Sequence, residues 1–128
     1  MLTTATLMTA IAATPEGGTL PLDGPMPTDG YLIAVPLLGT TVFPQGWWYW
    51  RSTEEYLLEA LLAKLFEGGA DNTRAIHYVG WWTDPDSSRT LVEPSLHVQT
   101  LPDALTVGRI LGQRYIYSIA QSDVIPVT

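Results

Sequence analysis

The chain has 128 residues, no cysteine, and 13 acidic against 6 basic side chains, for a net charge of −7. That length supports one domain with a single core. The missing cysteines exclude disulfides, thiolate zinc sites and cysteine nucleophiles, and the acidic balance argues against nucleic-acid binding, which needs clustered Lys and Arg to neutralise phosphates.

Only 15% of residues are charged and 46% are hydrophobic, against roughly 25% charged in a typical globular chain. Part of the surface is therefore expected to be apolar and covered by something, which favours a homo-oligomer or an assembly subunit over a lone monomer.

In chain order, "MLTTATLMTAIAA" comes first. No basic residue precedes Arg51, so this segment lacks the charged start of a signal peptide, and Pro15 stops it too early for a membrane span. A cytoplasmic protein or a virion component is expected, with no membrane contact. Leu2, Leu7, Met8 and Ile11 could share one side of a short helix, although the many Thr residues weaken it. "PEGGTLPLDGPMPTDG" follows and is built of chain breakers. Residues 1–29 read as an N-terminal arm, either a loose tail or a segment that orders against a neighbouring subunit. Residues 30–128 read as a single α+β domain.

Tyr31 to Leu38 is a strand, with Pro36 marking an edge or an end. Next comes "PQGWWYW", which packs Trp47, Trp48, Tyr49 and Trp50 into consecutive positions after a Pro and a Gly. Consecutive residues of an extended segment alternate sides, so Trp48 and Trp50 share one and Trp47 and Tyr49 the other. One pair is expected in the core and the other against a partner, since Trp is typical of interface hot spots. Base stacking is disfavoured, because stacking grooves for nucleic acid are basic and only Arg51 adjoins the run.

"STEEYLLEALLAKLFEGG" is the clearest helix, opened by a Ser52–Glu55 capping box and stopped by Gly68-Gly69. Leu57, Leu58, Leu61, Leu62, Leu65 and Phe66 recur at helical spacing and make its apolar face. "AIHYVGWWTDPDSSRTLVEPSLHVQT" predicts two strands around a loop at "DPDSS". "TLPDALTVGRILGQ" predicts a second helix, with Thr100 as cap, Pro102 in the first turn, Gly108 allowing close approach to a sheet and Gly112 as the stop. "RYIYSI" and "DVIPV" supply the last strands. The order β-α-β-β-α-β corresponds to a ferredoxin-like (split βαβ) sheet with two helices on one face.

Pairing the hairpin symmetrically about Ser87 puts Ile76, Tyr78, Gly80 and Trp82 with Val92, Pro94, Leu96 and Val98 on the core face. His77, Val79, Trp81 and Thr83 then share the open face with Leu91, Glu93, Ser95 and His97. Register follows from such a pattern because a slip by one moves every side chain to the other face. In this register Trp81 joins the candidate docking residues. His77 and His97 stand opposite each other at about 5 Å between Cβ atoms, a candidate pair for metal binding or pH sensing. A tetrahedral site would need further ligands, and Glu93 is two rungs away. No metal or cofactor is expected.

Nucleophile motifs are absent, with no GxSxG and no SxxK, and "EGGADN" lacks the pattern of a phosphate loop. Asp84 and Asp86 in "TDPDSS" are explained by turn chemistry. A non-enzymatic protein is expected. "LVEPSLHVQTLPDALTVGRILGQRYIYSIAQSDVIPV" resembles small proteins of actinobacterial phages and bacteria, for which no role is assigned. Val98, Ala104, Leu105, Gly108, Arg109, Gly112, Gln113, Ile116 and Tyr117 carry the likeness, and "GYLIAVPLLG" and "HYVGWWTDPDSSR" extend it across residues 30–127. The resemblance implies a phage-type accessory or structural protein and transfers no catalytic residue. Three readings follow. The first is a virion or assembly component acting through the Trp-rich loop and the N-terminal arm. The second is an intracellular accessory protein that binds and inhibits a host factor. The third is a small-ligand or metal-binding enzyme built on His77, His97 and Glu93.

Overall fold

A computed structural model describes residues 1–35, 41–43, 53–69 and 76–128. The Trp47–Trp50 run and the expected Ser52 cap lie outside them. The fold is α+β. Among the described residues there are three helices, α1 (Thr4–Ala13), α2 (Thr53–Gly69) and α3 (Leu101–Ile110), and seven strands. The strands are β1 (Gly17–Pro21), β2 (Tyr31–Ala34), β3 (Thr41–Phe43), β4 (Ile76–Thr83), β5 (Thr90–Val98), β6 (Tyr115–Ser118) and β7 (Asp123–Pro126). They form one antiparallel sheet in the order β1-β4-β5-β2-β6-β7. β3 shares the β2 edge of β5, pairing at Thr90 to Val92 while β2 pairs at Ser95 to Val98. Pro94, which cannot donate to a ladder, falls between these two pairings. Its carbonyl still accepts from the Val35 N–H at 2.9 Å.

All three helices pack on one face of the sheet. Leu7, Met8 and Ile11 of α1 meet Leu58, Leu61, Leu62 and Leu65 of α2 over Val79, Trp81 and Val92. Ala104 of α3 meets Ile33, Ile116 and Val127. Register places Ile33, Leu96, Ile116 and Val92 on the same side, so the two clusters are neighbours in one layer. The α2 stripe is buried as its spacing predicts, except that Leu57 is turned outward and 46% exposed. Gly108 answers the expected close approach: a Cβ there would lie 3.0 Å from Val127 Cγ2 and 3.2 Å from Ile116 Cγ2.

Residues 1–29, read from composition as an arm, contribute α1 and β1 to this sheet and core. The Thr3 hydroxyl caps α1 by accepting from the Thr6 N–H. Leu7 and Ile11 are fully buried. β1 pairs with β4 from Gly17↔Trp82 to Pro21↔Tyr78, and Pro21 is tolerated because β1 is an edge strand. Three apolar anchors on one helical face outweigh the weak propensity of the Thr-rich sequence.

The hairpin register differs from the symmetric one by one residue. Trp81 pairs with Val92, Val79 with Pro94 and Thr83 with Thr90. The cause is the turn. The Asp84 N–H bonds the Arg89 carbonyl, leaving four residues between them, and Ser88 takes φ 57. The Asp84 carboxylate accepts from the Asp86 N–H and the Ser87 hydroxyl. This even-numbered loop centres the hairpin between Asp86 and Ser87. The core face of β5 (Val92, Pro94) is as expected, and that of β4 is inverted.

Candidate functional site

The inversion settles where two tryptophans go. Trp81, expected on the open face among the docking residues, is 5% exposed and lies in the core. Its indole N–H donates to the Thr14 carbonyl at 2.8 Å, and its ring lies on Gly18, where a Cβ would collide with it. The neighbouring Thr83 hydroxyl donates to the Pro15 carbonyl at 2.6 Å. Trp81 is thus the residue that seats the α1–β1 turn. Trp82, expected inside, is 45% exposed on the face without helices.

The two histidines are also separated. Ile76 pairs with Leu96 and Tyr78 with Ser95, so β4 spends two steps where β5 spends one, and His77 is the extra residue of this bulge. The β4–β5 ladder ends at Leu96, and His97 takes Leu32 of β2 as its register partner. Its Nε2 lies 2.8 Å from the Asp29 carbonyl, and its ring stands 6.1 Å from that of Tyr78. His97 ties the residue 29–30 turn to β5, and Gly30, at φ +89, leaves room for the ring where a Cβ would strike Nε2. No group of three or more His, Cys, Asp or Glu that could hold a metal occurs among the described residues. Among them, too, no helix is long and apolar enough to cross a membrane.

The face opposite the three described helices has two distinct parts. Along its centre, Glu93, Ser95 and His97 of β5 alternate on one side. Glu93 is 8% and Ser95 5% exposed, and the Trp82 indole N–H reaches Glu93 Oε1 at 3.4 Å. Burying a carboxylate is costly unless hydrogen bonds serve it, so Trp82 has a structural tie as well as an exposed face.

The second part is the β6–β7 ribbon. Ile116 and Ser118 point to the helices and are buried, while Tyr115 and Tyr117 point away and are 56% and 38% exposed. Across the ladder Tyr117 opposes Val124, 53% exposed, and Tyr115 opposes the exposed Pro126. Cross-strand neighbours stand about 5 Å apart, so these four residues form one continuous apolar and aromatic patch. It carries no carboxylate. The sequence holds the signal as two runs apolar at consecutive positions, "YIY" and "VIPV", where a half-buried strand would alternate with polar residues.

The chain matches no protein-family model, no curated protein and no solved structure. What the site defines by itself is a surface suited to contact. It is antiparallel, neutral on one ribbon, and its central histidine is bound to the backbone.

Proposed function

We propose that this protein is a non-enzymatic interaction domain of phage type, a component of a virion or of its assembly, that docks through the helix-free face of its sheet. The observation that carries the reading is the exposed cross-strand patch of Tyr115, Tyr117, Val124 and Pro126 in a chain with 15% charged residues. Aromatic side chains bury much area at little entropic cost, which suits them to interfaces. The phage character rests on the sequence resemblance of residues 30–127.

The finer fold belongs to the same proposal. β2, α2, β4, β5, α3 and β6 follow one another as in a split βαβ unit. The order β4-β5-β2-β6 with antiparallel neighbours supports a ferredoxin-like reading, with α1, β1, β3 and β7 as additions. Because the N-terminal segment serves its own core, the docking role assigned to it passes to the exposed β6–β7 ribbon.

The test is quantitative mass spectrometry of purified particles beside infected-cell lysate. A fixed stoichiometric copy number in particles supports an assembly component. Absence from particles, with the chain confined to the lysate in complex with a host protein, replaces it by the accessory reading.

A further inference from the structure

We propose that Asp23–Gly24 is a site of spontaneous covalent modification, where the main chain isomerises to isoaspartate while the protein stays folded. The linkage lies in the segment that follows β1, and both of its residues are exposed. The Gly24 N–H donates to Asp23 Oδ1 at 3.0 Å. The carboxyl carbon, one bond from that oxygen, therefore already stands beside the nitrogen that must attack it. Proximity of this kind removes much of the entropic cost of closing a ring. Gly24 takes φ +76, and a Cβ there would meet nothing within 4 Å. Neither a side chain nor a neighbour hinders the approach.

The reaction needs no reagent but water. The Gly24 nitrogen loses its proton to solvent and bonds to Asp23 Cγ. The hydroxyl of the protonated carboxyl leaves, completing the loss of a water molecule, and a cyclic imide results. Water then adds to one of the two imide carbonyls. Breaking the bond between the nitrogen and Cγ restores aspartate. Breaking the bond between the nitrogen and the former main-chain carbonyl sends the chain through Cβ and Cγ, which is isoaspartate. A water leaves and a water enters, so mass is conserved and nothing is oxidised or reduced.

Two other linkages show what is particular to this one. Asp29–Gly30 has the same residue types, but closing the ring must swing the peptide between them, and that peptide is held. The Asp29 carbonyl lies 2.8 Å from His97 Nε2, and the Gly30 carbonyl accepts from the Ile119 N–H at 3.1 Å. Asp123–Val124 repeats the contact, with the Val124 N–H 2.8 Å from Asp123 Oδ1. There, however, both residues sit in the β6–β7 ladder, and the branched Val124 side chain crowds its own nitrogen. The 23–24 peptide has no hydrogen bond among the described residues except the one to its own carboxylate. The ion pair of Asp23 with the Met1 amine, at 3.4 Å, is exposed and too weak to hold the carboxylate away. Among the described residues, Asp23–Gly24 alone combines the contact, the glycine and a free peptide.

The experiment ages the purified full chain in heavy-oxygen water at neutral pH, beside the same chain unfolded in urea. Isoaspartate is located by electron-transfer fragmentation of the peptides. In the folded chain it should accumulate at Asp23, carrying heavy oxygen. It should exceed that at Asp29 by at least about tenfold, the factor set by having to open one or two hydrogen bonds, and Asp123 should stay intact. In urea Asp23 and Asp29 should converge, since both precede glycine. His97→Ala, shown by circular dichroism to be folded, should raise isoaspartate at Asp29 and leave Asp23 as it is. A folded chain with no isoaspartate at Asp23, or with as much at Asp29, overturns the proposal. A ratio of Asp23 to Asp29 as large in urea as in the folded chain overturns its structural cause.

Discussion

Trp81→Ala and Trp82→Ala, made separately, test the register from which the candidate surface is built. Trp81 is 5% exposed and surrounded by the α1–α2 layer, whereas Trp82 is 45% exposed. Truncating a fully buried aromatic to Ala costs about 3–5 kcal/mol. The lost bond to Thr14 adds little, because that carbonyl belongs to an exposed residue which water can serve. For Trp82, roughly half the side-chain area is at stake, about 2 kcal/mol at 25 cal/mol/Å², including its support of Glu93. Urea unfolding followed by far-ultraviolet circular dichroism reads both. With a slope of about 2 kcal/mol/M, the midpoint should fall by about 1.5–2.5 M for Trp81→Ala and by about 1 M or less for Trp82→Ala. A Trp82→Ala variant as destabilised as Trp81→Ala, or more so, would refute the register and return Trp81 to the open face.

Deleting residues 1–22 removes Leu7, Met8, Ile11 and Leu22, all buried. At about 1.5–3 kcal/mol each the loss rivals a whole domain's stability of about 5–15 kcal/mol. The truncated chain should lack a cooperative thermal transition, and an unaltered melting curve would mean that the segment is an appendage after all. Thr83 gives its single proton to the Pro15 carbonyl, so the buried Thr90 hydroxyl must donate to Thr83 at 2.8 Å. Thr83→Val should therefore cost about 1–3 kcal/mol, and adding Thr90→Val should recover part of it; strictly additive losses in the double-mutant cycle would deny the coupling. Gly108→Val forces branched bulk against Val127 and Ile116 and should cost about 1–3 kcal/mol, whereas a rise in melting temperature would place α3 further from the sheet.

Much of the helical layer is legible in the sequence because helical periodicity needs no knowledge of partners. Leu58, Leu61, Leu62 and Leu65 declare the inner face of α2, and Pro102, Gly108 and Gly112 mark α3 and its approach to the sheet. Leu57 shows the limit, since six apolar positions in ten residues describe a wider arc than the layer covers. The hairpin is harder for a physical reason. β4 is apolar on both parities around "VGWWT", so its composition cannot tell inside from outside, whereas β5 alternates and its core face is legible. The decision passes to the turn, where Asp84 side-chain bonds and the left-handed Ser88 create an even loop. One residue of turn geometry exchanges Trp81 for Trp82. The bulge at His77 is equally local and removes the cross-strand histidine pair.

The N-terminal segment and the last strand answer a common problem. The main path of the sheet begins and ends in two short strands, β1 and β7, and an acidic, charge-poor chain has few lysines with which to defend their outer edges. This one uses Pro21 and the Thr14–Gly17 turn at β1, and Pro126 and Asp123 at β7. Read as composition, "PEGGTLP" and "SDVIP" look like chain breakers. In the structure the same residues leave the strands paired on one side and short of donors on the other. Trp81 then couples the first device to the core, since its indole holds the turn that occupies the Gly17 N–H. Loosening Trp81 should therefore do more than destabilise the fold. It should free the β1 edge, so that Trp81→Phe, which keeps the ring and loses the bond, gains concentration-dependent association that Trp82→Phe does not. Equal behaviour of the two in sedimentation velocity would separate edge protection from the tryptophan that anchors it.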